Sequence, residues 1–131
     1  MCCVKKILCA YVFKYWISKS QERKNLIMNS ELIDKAKPVR EKEQLPLDKV
    51  DVWIKANIPT VSGKPELTQY TGGASNWTYR IKYDSHDLIL RRPPAGTKAA
   101  SAHDMKREYE IQKALMPFYT VPEMLAFCND Q

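Results

Sequence analysis

Between residues 66 and 92, three short runs with strand character are separated by two clusters of turn residues. The first run alternates apolar and polar residues, and the second, Trp77–Tyr83, is rich in aromatic and β-branched residues. The third run, Leu88–Arg92, is mostly apolar, and the turn clusters are Gly72–Asn76 and Asp84–Asp87. Strands that are joined by short turns pair antiparallel. This stretch therefore predicts an antiparallel three-stranded sheet.

Helical patterns flank the three predicted strands. Apolar residues recur at steps of three and four after Pro46, which predicts a helix that ends near Asn57. A second helix is predicted over about residues 102–115, with Ser101 as its N-cap, and a fourth strand over Val121–Phe127. The order is helix, three strands, helix, strand. We therefore predict an α+β fold, an antiparallel β-sheet with packed helices.

The predicted elements divide the chain into two parts. Residues 1–45 are expected to form a charged extension and linker, irregular or helical, and residues 46–131 the folded domain. The longest apolar run of the extension, Ile7–Phe13, is too short to span a bilayer. We favour a poorly ordered tail, translated from upstream of a natural start at Met28; a basic amphipathic helix on a membrane surface is the alternative.

The net charge of +6 is concentrated in the extension. Residues 1–27 hold six of the 21 basic residues and one of the 15 acidic residues, which leaves the rest of the chain nearly neutral. A basic surface that neutralises phosphates is thus not expected on the folded domain. We predict no nucleic-acid binding by that domain and assign weak membrane contact, if any, to residues 1–27.

The cysteines indicate a reducing compartment. Cys2, Cys3 and Cys9 lie in the extension without the C-x-x-C spacing or histidine cluster of a zinc site. Cys128 fits a small, reduced apolar side chain. The sequence therefore predicts a cytoplasmic protein without a bound metal of its own.

The turn between the first two strands has the composition of a phosphate-binding loop. Gly72 and Gly73 lack a Cβ, so the backbone can approach a ligand and point its N–H groups at phosphate oxygens. Ser75 and Asn76 add side-chain donors. Two glycines between strands are also typical of an ordinary hairpin turn, so the loop alone does not decide the function.

An arginine on the third strand and a glutamate on the second helix complete a candidate site. Arg91 and Arg92 are adjacent on the third strand, so one points to each face of the sheet. An arginine on the face of the glycine-rich turn can bind phosphate oxygens bidentately. Glu108 lies within a turn of Met105 on the second helix, where it can face the sheet and pair with the arginine. Solvated arginines at a strand end and a solvated helix carboxylate are the alternatives. The ordered set of loop, cation and acid favours the functional interpretation.

At these residues the chain resembles a known family. The runs GGASNWTYRI, LILRRPP, SAHDMKREYEIQKAL and VPEMLAFC are similar to the aminoglycoside/choline-kinase-like phosphotransferase family, over roughly residues 45–130. The likeness is greater to the branch also found fused to acyl-CoA dehydrogenase-like proteins. The resemblance implies the N-terminal lobe of a protein-kinase-like fold, which binds ATP with magnesium between two lobes and phosphorylates hydroxyls of small molecules.

The resemblance also implies roles for single residues. Arg91 matches the cation of the family's third strand, Glu108 matches the helix acid that pairs with it, and Ile89 would line the adenine site. Arginine replaces the lysine that is usual in kinase-like folds. The resemblance therefore does not fix the geometry of phosphate binding, and Arg92 stays an alternative to Arg91 as the cation that binds phosphate. The phosphate-covering loop corresponds to Gly72, Gly73, Ala74, Ser75 and Asn76.

The residues that would carry the chemical step are expected elsewhere. Phosphoryl transfer needs an aspartate to position the hydroxyl and acids to hold magnesium, and in kinase-like folds these lie in a second lobe. We therefore predict that this chain holds no catalytic or metal-binding residue. Mg²⁺ and the small-molecule acceptor are expected to bind only when the second lobe is present. The chain alone is expected to be an inactive fragment. Without the lobe, Leu125 and Phe127 are expected to be exposed. A non-catalytic binding or interaction module is the alternative function.

Overall fold

The computed structural model describes residues 10–14, 35–72, 76–94 and 104–129; of the side chains in residues 10–14, only that of Val12 is described. Within these residues the predicted order of helix, three strands, helix and strand is confirmed, and the fold is α+β. No helix in this part of the chain has both the length and the apolar character needed to cross a membrane. The elements are β1 (Ala10–Lys14), a short 3-10 helix (Glu41–Glu43), α1 (Leu47–Asn57), β2 (Glu66–Tyr70), β3 (Trp77–Lys82), β4 (Asp87–Arg92), α2 (Met105–Leu115) and β5 (Met124–Cys128).

Strands β2, β3 and β4 form the predicted antiparallel meander. Leu67 pairs with Ile81 between β2 and β3, and Ile81 pairs with Leu88 between β3 and β4. Tyr83 closes the second hairpin by donating its backbone N–H to the carbonyl of His86 at 2.7 Å. The turn residues therefore set the register that the alternating pattern requires.

The fifth strand of the sheet comes from the N-terminal extension. The strand order is β2-β3-β4-β1-β5, and β1 runs antiparallel to both β4 and β5. The expectation of an irregular or helical extension is therefore wrong for Ala10–Lys14. Strand pairing satisfies the backbone groups of this segment on both sides, and the side chain of Val12 is fully buried. The pairing with β5 shifts register between Val12 and Phe13.

The main core lies between α1 and one face of the sheet. Val50 and Ile54 of α1 are buried, which fits the three- and four-residue spacing of the apolar residues in this helix. They belong to one cluster with the apolar residues of four strands, namely Val12, Tyr79, Ile81, Leu88, Leu90 and Ala126. The helix thereby covers this face of the sheet and leaves the other face to α2.

The segment before α1 packs on the edge strand β2. Lys37 and Gln69 exchange two backbone hydrogen bonds of 2.8 Å, and the Gln69 side chain is 1% exposed. The hydroxyl of Tyr79 donates to the carbonyl of Glu43 at 2.7 Å. Burial raises the pKa of Tyr79, so its phenol stays a neutral donor at physiological pH. This part of the predicted linker is thus attached to the sheet.

A second, smaller apolar cluster holds α2 against β5. Met105 and Met124 are buried, and the ring of Tyr109 stacks on that of Phe127 with centroids 5.3 Å apart. The expectation that Phe127 and Leu125 are exposed is wrong: both are partly buried, because α2 covers the first and the main core contacts the second. Cys128 is buried and takes part in no disulfide.

The N-terminus of α2 differs from the prediction. The helix begins at Met105, and the carboxylate of Asp104 accepts the backbone N–H of Arg107 at 2.9 Å. Asp104 is therefore the N-cap, a role that aspartate fills well because its oxygen satisfies an otherwise unpaired donor of the first turn. Ser101, the predicted N-cap, lies outside the described residues.

Candidate functional site

The alternation of side chains along β4 separates its two arginines. Leu88 and Leu90 belong to the core beneath α1, so Arg92, two residues further on, points to the same side. Ile89 and Arg91 point to the opposite face, on the side of α2. The strand thus presents one arginine to each face, as its sequence predicts.

Arg92 is held on the α1 side by aromatic rings. Its guanidinium carbon lies 4.7 Å from the ring centre of Trp77 and 5.7 Å from that of Tyr79. The residue is 8% exposed. Cation–π contacts of this kind stabilise a buried guanidinium. Arg92 therefore has a packing role on the face remote from Glu108, and Arg91 is the arginine that α2 can reach.

Arg91 and Glu108 form an ion pair between β4 and α2. Nη1 of Arg91 donates a hydrogen bond to Oε1 of Glu108. The two side chains are 29% and 28% exposed, so the pair is neither fully solvated nor sealed in the interior. Glu108 thus faces the sheet and is not a solvated helix carboxylate. The carboxylate restricts the rotation of the arginine side chain and leaves one edge of the pair open to solvent.

The packing of α2 determines where Glu108 lies. Met105, Glu108 and Tyr109 are spaced by three and four residues, so they share one face of the helix. Met105 is fully buried, and Tyr109 stacks on Phe127. These two contacts orient the helix so that Glu108 projects toward Arg91. Glu110, on a different face, is 62% exposed and pairs with Lys106 at 3.8 Å.

The glycine-rich turn leaves the sheet at the same end as Arg91. In the register of β3 and β4, Thr78 is the partner of Arg91, and Asn76 precedes Thr78 by two residues. Thr71 and Gly72 follow β2 directly, and Gly72 is exposed. Gly73, Ala74 and Ser75 lie outside the described residues. The ends of the loop therefore lie on either side of Thr78, the residue of β3 that pairs with Arg91.

Ile89 and an unpredicted ion pair occupy the same face of β4. Ile89 is 2% exposed and lies opposite Arg80 of β3. Arg80 binds Asp87 bidentately, with Nε–Oδ1 and Nη2–Oδ2 distances of 2.8 and 2.5 Å. The turn Asp84–Asp87 carried the signal for this pair, since a tight hairpin places Arg80 and Asp87 on neighbouring strands and on one face.

The arginine of the pair between β4 and α2 can take part in anion binding. An arginine has five N–H donors in a planar fork, so one that binds a carboxylate can also bind phosphate oxygens. The strand partner of Arg91 is Thr78, two residues after the turn ends at Asn76, and such a turn can add N–H donors. In the described part of the chain, no group of three or more histidine, cysteine, aspartate or glutamate side chains is arranged to hold a metal ion.

A family model matches the part of the chain that contains this face. The model, described as the phosphotransferase enzyme family, matches residues 66–131, which is half of the chain and includes β2 to β5 and α2. The strand β1 and the helix α1 lie before the matched residues.

Relatives of the chain are found among proteins named as acyl-CoA dehydrogenases. Acyl-CoA dehydrogenase family member 10 of Mus musculus is 38% identical over 100 residues, which covers 75% of this chain and 9% of that protein. Family member 11 of Gallus gallus is 37% identical over 70 residues, 53% of this chain and 9% of that protein. Probable acyl-CoA dehydrogenase IBR3 of Arabidopsis thaliana is 31% identical over 77 residues, 56% of this chain and 9% of that protein.

These comparisons confirm the likeness to the phosphotransferase branch associated with acyl-CoA dehydrogenase-like proteins. The chain spans about a tenth of the length of the relatives that it matches. No solved structure matches the chain significantly.

Proposed function

Because this chain belongs to the phosphotransferase enzyme family, we propose that it is the nucleotide-binding lobe of an ATP-dependent phosphotransferase that acts on a hydroxyl of a small molecule. The observation that carries the proposal is the ion pair between Arg91 and Glu108 beside the glycine-rich turn. In this proposal Arg91 binds the α- and β-phosphates, and Glu108 positions its guanidinium.

The remaining site residues have supporting roles in the proposed complex. The turn Gly72–Asn76 covers the phosphates and directs backbone N–H groups at their oxygens. Ile89 supplies an apolar surface for the adenine, two residues from Arg91 on the same face of β4. Charge-assisted hydrogen bonds from a guanidinium to phosphate are stronger than neutral ones, and the loop adds donors around them.

The chemical step is proposed to depend on residues beyond this lobe. Mg²⁺ would supply charge neutralisation between the phosphates, and residues of a second lobe would hold it and position the acceptor hydroxyl. Residues 1–131 alone are therefore expected to bind ATP weakly and to transfer no phosphate. We further propose a cytoplasmic location, in keeping with the buried thiol of Cys128, which takes part in no disulfide.

The experiment that tests the proposal compares two acids of the same helix. ATP is titrated into isotope-labelled residues 1–131, and the affinity is obtained from the shifts of backbone amide resonances, which report binding even in the millimolar range. Glu108→Ala is expected to weaken ATP binding about tenfold, since a hydrogen bond to a charged group contributes about 1.5 kcal/mol or more. Glu110→Ala, which removes an exposed carboxylate of the same helix, is the control.

The same titration with adenosine separates phosphate recognition from base recognition. Adenosine should bind equally weakly to the wild type and to Glu108→Ala, because it has no phosphate for Arg91 to contact. Equal ATP affinity of the wild type and Glu108→Ala would contradict the proposed role of the ion pair.

A non-catalytic interaction module is the second candidate function. The observation in its favour is a set of exposed apolar residues in the segment between α2 and β5, where Phe118 and Tyr119 are 80% and 67% exposed and Met116 is 37% exposed. Exposed apolar residues mark a contact surface where they form one continuous patch. If the chain binds no nucleotide at millimolar concentration, this second function gains support.

A further inference from the structure

Arg80 lies on the face of the sheet that carries Arg91. Its neighbours along β3, Tyr79 and Ile81, are fully buried on the side of α1, so alternation directs Arg80 to the opposite side. In the register of β3 and β4, Arg80 pairs with Ile89, which precedes Arg91 by two residues. The two arginines are therefore diagonal neighbours on adjacent strands, and such positions lie about 7–8 Å apart in an antiparallel sheet.

The surface around Arg80 is accessible to solvent in the described part of the chain. Thr68 of β2 and Thr78 of β3, which lie on the same face as Arg80, are both partly exposed. On the other face of these strands, Gln69 and Tyr79 are at most 1% exposed. Helix α2 packs mainly against β5 and β1, which lie at the far side of the sheet from β2 and β3. A ligand can therefore approach Arg80 from this face.

Asp87 holds the guanidinium of Arg80 in one orientation. Nε and Nη2 of Arg80 donate to Oδ1 and Oδ2 of Asp87 at 2.8 and 2.5 Å, and two parallel hydrogen bonds of this kind bring the two planar groups close to one plane. The side chains are 28% and 25% exposed. The pair thus presents a flat and fixed surface, and guanidinium planes stack on aromatic rings, including nucleobases.

The position of this surface relative to Arg91 suits the base of a nucleotide. One ribose separates the base from the α-phosphate, so a nucleotide that binds Arg91 through its phosphates places its base at a neighbouring position of the same face. Ile89 lies at that position but is only 2% exposed, so most of the surface that a base meets there comes from the residues around it. Arg80 is the residue of β3 directly opposite Ile89.

We propose that Arg80 is the residue that binds the nucleobase: its guanidinium stacks on the adenine, and Asp87 is a positioning residue that keeps the guanidinium in place. The inference rests on the proposed function and extends it, because it assigns the base to Arg80 and the phosphates to Arg91. Stacking is a contact with the face of the ring, so it also contributes to the binding of an uncharged nucleoside.

The test measures the two halves of the nucleotide separately. Adenosine and inorganic tripolyphosphate are each titrated into isotope-labelled residues 1–131, and the affinities are obtained from backbone amide shifts. Arg80→Ala is expected to weaken adenosine binding about tenfold, a loss typical of one stacked base. Lys82→Ala removes the same charge from an exposed position of β3 on the same face and should leave adenosine binding within about twofold.

Arg91→Ala should show the opposite selectivity. It is expected to weaken tripolyphosphate binding about tenfold or more and to leave adenosine binding within about twofold, because adenosine has no phosphate. Arg80→Ala should affect tripolyphosphate no more than Lys82→Ala does, since each removes one positive charge from this face.

Arg80→Tyr separates stacking from a purely structural role of the ion pair. The tyrosine ring restores a flat surface but forms no ion pair with Asp87, so adenosine binding should stay within about threefold of the wild type. The wild type gives a second measurement that needs no variant. Nuclear Overhauser effects are expected between the adenine protons of bound adenosine and the Cδ protons of Arg80.

The outcomes distinguish this inference from the proposed function. Unchanged adenosine affinity in Arg80→Ala, with ATP binding still weakened in Arg91→Ala, would overturn the role of Arg80 alone. Equal losses of adenosine binding in Arg80→Ala and Arg80→Tyr, or bound adenosine without an Overhauser contact to Arg80, would show that the ion pair only stabilises the hairpin. If the wild type binds neither adenosine nor ATP, the inference and the proposed function are both wrong.

Discussion

Arg91 and Glu108 are 17 residues apart in the sequence, and Nη1 of the arginine donates to Oε1 of the glutamate across the space between β4 and α2. Strand alternation sends Arg91 to this side of the sheet and Arg92 to the other, where Trp77 and Tyr79 cover it. The ion pair therefore depends on the packing of both faces of the sheet, with α1 on the side of Arg92 and α2 on the side of Arg91.

The orientation of α2 should depend on the aromatic stack beside the ion pair. Tyr109→Ala removes the ring that stacks on Phe127 and is expected to lower the free energy of unfolding by about 1–3 kcal/mol, from lost burial and lost aromatic contact. Urea denaturation measures the change. Tyr119→Ala, at a position 67% exposed, should alter stability by less than about 0.5 kcal/mol. Similar losses in the two variants would exclude the stack as the anchor of α2.

Gly63 should be required by both its backbone and its surroundings. Its φ is +100°, a conformation that side chains disfavour, and an added Cβ would overlap the carboxylate of Asp84, whose Cγ would be 2.6 Å away. Gly63→Ala is therefore expected to destabilise the protein by about 1–3 kcal/mol. Thermal unfolding gives the value, and Gly63→Ala combined with Asp84→Gly should recover part of the loss. An unchanged midpoint in Gly63→Ala would refute the steric argument.

The stability of the protein should fall in alkaline solution because of Tyr83. Burial, together with a hydrogen bond to Asp51 at 2.9 Å, raises the pKa of Tyr83 well above its ordinary value of 10.0. The unfolded chain then releases the phenolic proton from about pH 10 upward while the folded protein retains it. The stabilising contribution is complete below pH 10 and is lost as the pH rises further.

Tyr83→Phe isolates this effect. At pH 8 the variant should be less stable than the wild type by about 1–2 kcal/mol, since the hydrogen bond to Asp51 is lost. Above pH 10 the difference should shrink by up to about 1.4 kcal/mol per pH unit. Urea titrations at several pH values measure it, with Tyr119→Phe as the exposed-phenol control. A difference that is constant from pH 8 to pH 11 would contradict the assignment.

Local patterns in the sequence were sufficient to predict most of the fold. Helix α1 and strands β2 to β4 follow from spacing, alternation and turn residues, which act over a few neighbouring positions. Strand β1 was missed although Tyr11, Val12 and Phe13 are residue types favoured in strands, because no cluster of turn residues bounds them as it bounds β2 to β4. It is a strand because β4 and β5, far away in the sequence, offer it two edges, and such pairing cannot be seen in a single stretch.

The candidate site was predictable to a similar extent. Alternation placed Arg91 and Arg92 on opposite faces, but the choice between them required knowing which helix covers which face. Once α2 is placed by Met105 and by the Tyr109–Phe127 stack, Arg91 is the one beside Glu108. The pair of Arg80 and Asp87 went unnoticed because it depends on the hairpin register and not on either residue alone.

The central claim is that Glu108 acts on nucleotide binding through Arg91, and a double-mutant cycle on ATP affinity tests it most directly. Arg91→Ala should weaken ATP binding about tenfold or more, whereas Arg107→Ala, the same change at an exposed position of α2, should not. In the Arg91→Ala background, Glu108→Ala should cause no further loss, because its partner is already absent. Additive losses from the two substitutions, or wild-type affinity in Arg91→Ala, would contradict the account.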